Sequence, residues 1–220
     1  MNLEKKPPAP NWLAKLAGPG AFSAYLRSLG RDAFVVRLPH ASSEADAPPS
    51  STRDHHLVML AKSPIHLVSV RLGEGTLDGR GYPIAHHYVV PVGDVGNDDD
   101  YDARLGQSFG GLFQRRRTRL TFVGGRLSDV LRADDQVRSA LFEHLAPKDE
   151  LMVAADVARG LVRIVHVHRM SPRKPLWTPH PSTYFEQFIP EPLIGAFERI
   201  ATHVRALPRL RPDRLRSRSA

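Results

Sequence analysis

The sequence predicts an α+β fold, an antiparallel or mixed β-sheet packed against a few helices, forming a single domain with a basic C-terminal tail. Three observations lead there. A chain of 220 residues with 41% apolar side chains supports one sizeable core. Its periodicities run helix, several strands, helix, hairpin, helix, without the regular βαβ alternation of a doubly wound parallel sheet. Its formal charge of +8 gathers at one end.

Residues 1–10 hold Lys5, Lys6, Pro7, Pro8 and Pro10 and read as a disordered N-terminus. The domain is expected over residues 11–208. Trp12, Leu13 and Leu16, then Phe22, Tyr25, Leu26 and Leu29, mark two short helices broken at Gly18-Pro19-Gly20, with Gly30 closing the second. Ala33 to Leu38 has the aromatic and β-branched content of a strand. His40 to Asp54, poor in apolar residues, reads as an exposed connection.

Leu57 to Leu60 and Ile65 to Leu72 read as a hairpin turning at Lys62-Ser63-Pro64. In Ile84 to Val92 the side chains of Ile84, His86, Tyr88, Val90 and Val92 share one face, and Pro91 places a sheet edge or strand end there. Gly93 to Gly111 reads as a long polar loop. Arg119 to Val123 alternates again, with Leu120 and Phe122 inward. Asp134 suits the N-cap of a helix carrying Val137, Ala140, Leu141 and Leu145. Leu151 to Val157 and Leu161 to Arg169 form a second hairpin around Ala158-Arg159-Gly160. Four prolines between Ser171 and Pro181 exclude regular structure, and a final helix starts at Pro192 with Leu193, Phe197, Ile200, Val204 and Leu207 as its buried stripe.

Charge and composition bound the function. Residues 1–150 carry 19 basic and 18 acidic side chains, residues 151–220 carry 12 and 5, so the surplus is C-terminal. The folded body is expected to be near neutral, and residues 209–220 to form a disordered tail. Arg209, Arg211, Arg214, Arg216 and Arg218 are its candidate binding residues, for nucleic acid or an acidic protein, since spaced arginines displace counterions from a polyanion. The tail has no interleaved aromatics for stacking bases. No apolar run is long enough for a transmembrane segment, and the N-terminus lacks the pattern of an export signal. A cytoplasmic location is therefore expected. Arginine outnumbers lysine 25 to 6, which reads as the codon bias of a GC-rich bacterial genome. With no cysteine there is neither disulfide nor thiolate chemistry.

Three patterns carry candidate chemistry. Gly106-Gln107-Ser108-Phe109-Gly110, followed by Gly111, fits G-x-S-x-G and resembles the serine turn of the α/β-hydrolases. That resemblance implies Ser108 as catalytic nucleophile, with His180 as its base and Asp156 as the orienting acid. The polar flank from Asn97 to Arg104 and the arginines that follow at 115–117 read instead as a flexible glycine loop. His166-Val167-His168 places two imidazoles on one strand face, spaced for a shared metal, although no sequence spacing supplies a third ligand. The adjacent pairs His55-His56 and His86-His87 point to opposite faces, so neither is a local chelate. Asp98, Asp99, Asp100 and Asp102 suit a hard cation but lack the rest of a calcium loop, and read as a solvated acidic segment near Arg115 to Arg119. No phosphate-cradling glycine motif occurs, so no cofactor is named. The leading expectation is a binding or accessory protein acting through its arginine-rich tail, and the alternative is a serine hydrolase using the GQSFG segment.

Overall fold

The computed structural model describes residues 11–37, 56–73, 81–93, 97–110, 116–170 and 180–207. One antiparallel sheet of eight strands forms the body: β1 (Ala33–Arg37), β2 (His56–Leu60), β3 (Leu67–Leu72), β4 (Tyr82–Pro91), β5 (Ala103–Gly110), β6 (Arg116–Gly124), β7 (Glu150–Asp156) and β8 (Leu161–Met170). Their order across the sheet is β1-β2-β3-β4-β8-β7-β5-β6. The predicted α+β single domain is therefore present, with antiparallel pairing throughout.

Among the described residues six helices accompany it: α1 (Asn11–Ala17), α2 (Pro19–Ser28), α3 (Arg126–Ala133), α4 (Asp135–His144), α5 (Pro181–Phe188) and α6 (Glu191–Ala206). Alternation along β4 and β8 sends Ile84, His86, Tyr88 and Val90, and Val162, Ile164, His166 and His168, to the buried face. There they meet Phe22 of α2, Phe185 of α5 and Phe197 of α6 in a continuous core. The stripe predicted for the last helix is buried at all five positions.

Both predicted hairpins form, and Gly160 takes φ +60° in the second. Pro91 ends a strand inside the sheet, where its missing N–H breaks no interior ladder. Asp134 caps α4 as expected: Oδ1 accepts from Gln136 N–H at 3.0 Å and Val137 N–H at 3.2 Å. Its other oxygen accepts from Arg199 Nε at 2.5 Å and meets His203 Nε2 at 2.6 Å, tying α4 to α6.

One expectation needs correction here. Gly93 to Gly111 is not one long loop, because it contains a 3₁₀ turn (Asp98–Tyr101) and β5. The strand was hidden because Gly106, Gln107 and Ser108 carry no apolar alternation. The ladder to β6 holds it, with Tyr101 and Ala103 buried at its start. Gly125 makes that start possible, since a Cβ there would lie 1.7 Å from the Asp99 carbonyl oxygen. Helices α3 and α5, eight residues each, are additions to the predicted elements: α3 buries Leu127 and Leu131 one turn apart, and α5 buries Tyr184 and Phe185. The expected loop at 40–54, the N-terminal segment and the tail arginines Arg209 to Arg218 lie outside the described residues.

Candidate metal centre

Strands β4 and β8 are neighbours, and their register sets His86 opposite His166 and Ile84 opposite His168. Two histidines two residues apart on β8 and one across the ladder on β4 therefore meet on one face. All three are fully buried. Their ring centroids lie 5.4 Å (His86 to His168), 5.5 Å (His166 to His168) and 6.4 Å (His86 to His166) apart. One ring nitrogen from each falls within 4.8 Å of the other two. A tetrahedral ion with bonds of about 2.1 Å holds its donors about 3.4 Å apart. Loading thus asks the rings to close in by at most about 1.4 Å.

The outer contacts fix the direction in which the rings present themselves. His166 Nε2 lies 2.9 Å from Asp149 Oδ2, a carboxylate only 4% exposed. An ionised carboxylate only accepts, so Nε2 donates to it and Nδ1 is the nitrogen left for another partner. His168 Nε2 lies 2.8 Å from the buried Tyr184 hydroxyl, which leaves Nδ1 as the ring nitrogen without a hydrogen-bond partner. Asp149 is itself held in place: its Oδ2 accepts from Ala146 N–H at 3.4 Å, and its carbonyl accepts from Gln107 Nε2 at 2.9 Å.

The inner contacts are missing. Among the described residues His86 Nδ1 and Nε2, His166 Nδ1 and His168 Nδ1 are buried without a hydrogen-bond partner, as is the Tyr88 hydroxyl. A buried unsatisfied polar group costs about 1–3 kcal/mol, so four on one cluster form an unusual concentration of strain. Burial, then the neighbouring His168, His166 and His87, pushes the His86 imidazole well below its ordinary pKa, and burial with the adjacent His166 holds His168 at about 3. Both rings are accordingly neutral bases, the form that binds a metal. Phe22, Phe185, Phe188 and Phe197 wall the cluster with aromatic rings.

The other sequence candidates are dispersed. Ser108 does not sit on a strand-to-helix turn: it lies within β5, exposed, opposite Arg119 on β6. Among the described residues no histidine is hydrogen-bonded to its hydroxyl. The expected elbow is absent because Gly106 to Gly110 pairs as an extended strand and Gly111 lies outside the described residues. His180 precedes α5, where its carbonyl accepts from Tyr184 N–H. Asp156 ends β7 and is held by Arg159 and Arg163. The acidic run is a 3₁₀ turn in which Asp100 pairs with Arg126 at 3.2 Å, while Arg115 and the Arg116 side chain, which the sequence places near it, lie outside the described residues.

Sequence reasoning placed His166 and His168 on one face and missed His86, Asp149 and Tyr184. A signal for His86 existed: it alternates with Ile84, Tyr88 and Val90, so it belongs to the buried side of β4. No family model matches this chain, and no curated protein or solved structure matches it.

Proposed function

We propose that this chain is a transition-metal-binding protein, with one divalent ion of the zinc class held by His86, His166 and His168. Four of the five buried polar side-chain atoms left without a partner among the described residues belong to these three rings, and that observation carries the reading. Neutral imidazoles suit zinc, copper, nickel and cobalt, and disfavour calcium and magnesium. Bound there, zinc would supply Lewis acidity, with its fourth position left to water or a small ligand. Asp149 and Tyr184 would orient His166 and His168 from outside, and the aromatic wall would keep bulk water from the ligand bonds.

Elemental analysis of protein purified without a histidine tag, with metal-free protein then titrated with zinc, tests this. The expected stoichiometry is one ion per chain, lost when His86 and His168 are both replaced by Ala. Less than a tenth of an equivalent, with no uptake, would leave the three rings as core packing.

The clustering of Arg209, Arg211, Arg214, Arg216 and Arg218 supports a second, independent reading, contact with nucleic acid or an acidic protein through that segment. Salt-dependent retention on heparin that disappears with residues 209–220 is its signature. Among the described residues no helix is long and apolar enough to cross a membrane.

A further inference from the structure

The folded body holds its own arginine-lined cleft, contrary to the expectation that positive charge is confined to the tail. A groove of about 590 Å³ runs between β6 and α4, lined by Thr118, Arg119, Leu120 and Thr121 on one side and Arg132, Asp135, Arg138, Ser139 and Phe142 on the other. Three guanidinium groups face one carboxylate there. Arg132 pairs with Asp129 and Arg138 with Asp135, as exposed neighbours one helical turn apart. Such pairs contribute little and leave most of each fork open to a stronger acceptor. Arg119 is exposed and has no carboxylate partner among the described residues.

The strand wall of this groove is a sheet edge. β6 ends the strand order, so its outer side carries backbone groups that no strand among the described residues covers. The Phe122 carbonyl shows their direction, because it accepts from Arg132 Nη1 at 2.7 Å on the helix side of the strand. Backbone groups alternate along a strand, so Leu120, two residues earlier, turns its N–H and C=O the same way, into the groove. Strand and helix run side by side in opposite directions. Arg132 closes one end at Phe122, and Arg117 closes the other by donating to the carbonyls of Leu141, Phe142 and Leu145.

Arg117 reaches them because Thr118 is an extra residue in β6. Ser108 faces Arg119 and Phe109 faces Arg117, so Thr118 is skipped. This bulge turns Arg117 toward α4 while keeping Arg119 at the groove.

From the free edge, the parallel helix wall and the charge, we propose that the β6–α4 groove is a docking site for an acidic peptide segment in extended conformation. The segment adds as a short strand beside Leu120, and its carboxylates pair with Arg119 and Arg138. An open strand edge beside a helix is a recognised mode of peptide capture, in which backbone hydrogen bonds provide affinity and the flanking side chains provide selectivity. A nucleic acid offers phosphates to the arginines but has no backbone that can extend a β-ladder, so the edge favours peptide.

The test uses the full chain and a fluorescein-labelled peptide of alternating glutamate and valine, measured by fluorescence anisotropy. Four comparisons accompany it: the lysine–valine counterpart, the same acidic peptide with N-methylated backbone, a single-stranded oligonucleotide of equal charge, and the acidic peptide against the double variant Arg119→Ala/Arg138→Ala. The tail arginines are present in both proteins, so their contribution cancels between them. The acidic peptide is expected to bind at least tenfold more tightly than the lysine–valine and N-methylated peptides and tenfold more weakly to the variant, whereas oligonucleotide binding through the tail is expected to be the same in both proteins; the variant's thermal midpoint is measured alongside as a check on folding. Equal binding of the N-methylated peptide would overturn strand addition. Undiminished binding of the acidic peptide by the variant, or a loss of oligonucleotide binding in the variant as large as the loss of peptide binding, would overturn the assignment of the groove to an acidic peptide.

Discussion

Replacing His86 with Phe should have opposite effects on stability with and without metal. In the metal-free protein His86 presents two buried nitrogens with no partner. Each costs about 1–3 kcal/mol, so their removal returns roughly 2–6 kcal/mol. Phe is slightly larger, and the tight aromatic surroundings, with Phe22 at 5.0 Å and Phe185 at 6.3 Å, cost about 1–3 kcal/mol for overpacking. A net gain of about 2 kcal/mol is expected, which for a domain of this size raises the melting midpoint by roughly 4–8 °C. Metal reverses the order. At a free zinc concentration one thousand times Kd the wild-type protein gains about 4 kcal/mol, or roughly 8–16 °C, whereas a variant with two imidazoles left gains far less. Scanning calorimetry of both proteins, each with excess zinc and with a strong chelator, gives four midpoints. The variant should melt above wild type in chelator and below it in zinc. If zinc leaves the wild-type midpoint unmoved and the variant is less stable in both conditions, the unpartnered nitrogens do not mark a metal site.

Asp149→Asn keeps the hydrogen bond to His166 within reach but removes the charge that fixes its tautomer, so zinc affinity should fall about 10–100-fold in a competition titration with a chromophoric chelator, with one ion still bound at saturation. An unchanged affinity would remove Asp149 from the centre. Burial opposes ionisation of Asp134, but hydrogen bonds from His203 and Arg199 outweigh it and hold the carboxyl at about 2, against an ordinary value of 3.8. Because the folded value is the lower one, this stabilisation is complete above pH 4 and is lost as pH falls through about 2. It amounts to about 2 kcal/mol, so Asp134→Asn should unfold at lower urea than wild type at pH 6, and the gap should shrink toward pH 2. A gap independent of pH would contradict it. Arg117→Ala removes the donors that hold the last carbonyls of α4 and the Gln107 side chain, which should cost about 2 kcal/mol and speed amide exchange at the C-terminal end of α4. A change below about 0.5 kcal/mol would mean that water replaces the guanidinium there.

The two proposed sites depend on different parts of the fold. The histidine cluster sits where β4 and β8 cross the middle of the sheet, under α5 and α6, so its ligands are held by elements that cannot shift without opening the core. The groove lies at the far edge. β5 meets β7 over only two residue pairs, Ala103 with Val153 and Arg104 with Met152, and the β5–β6 hairpin is then carried by its own ladder and by α3 and α4. A peptide can join that edge without disturbing the histidines. The two are nonetheless linked through Arg117, which closes the groove and donates to Gln107, whose amide in turn donates to the Asp149 carbonyl.

Local chemistry determined much of the molecule before any packing was known. The break at Gly18-Pro19, the alternation of β4 and β8, the Asp134 cap and the stripe from Leu193 to Leu207 all follow from the reach of a side chain over a few residues, and such signals survive in one dimension. His166 and His168 share a face for the same reason. Tertiary structure alone decided which strand lies beside β8. The 79 residues between His86 and His166 hold no clue to the register that sets them opposite each other, since antiparallel pairing depends on the sum of contacts over whole strands. The same holds for Asp149 and Tyr184, which reach the cluster from a turn and a helix that carry no motif. β5 escaped notice because its backbone ladder, not its side chains, holds it in place, and hydrogen bonds between amides leave no mark on the sequence.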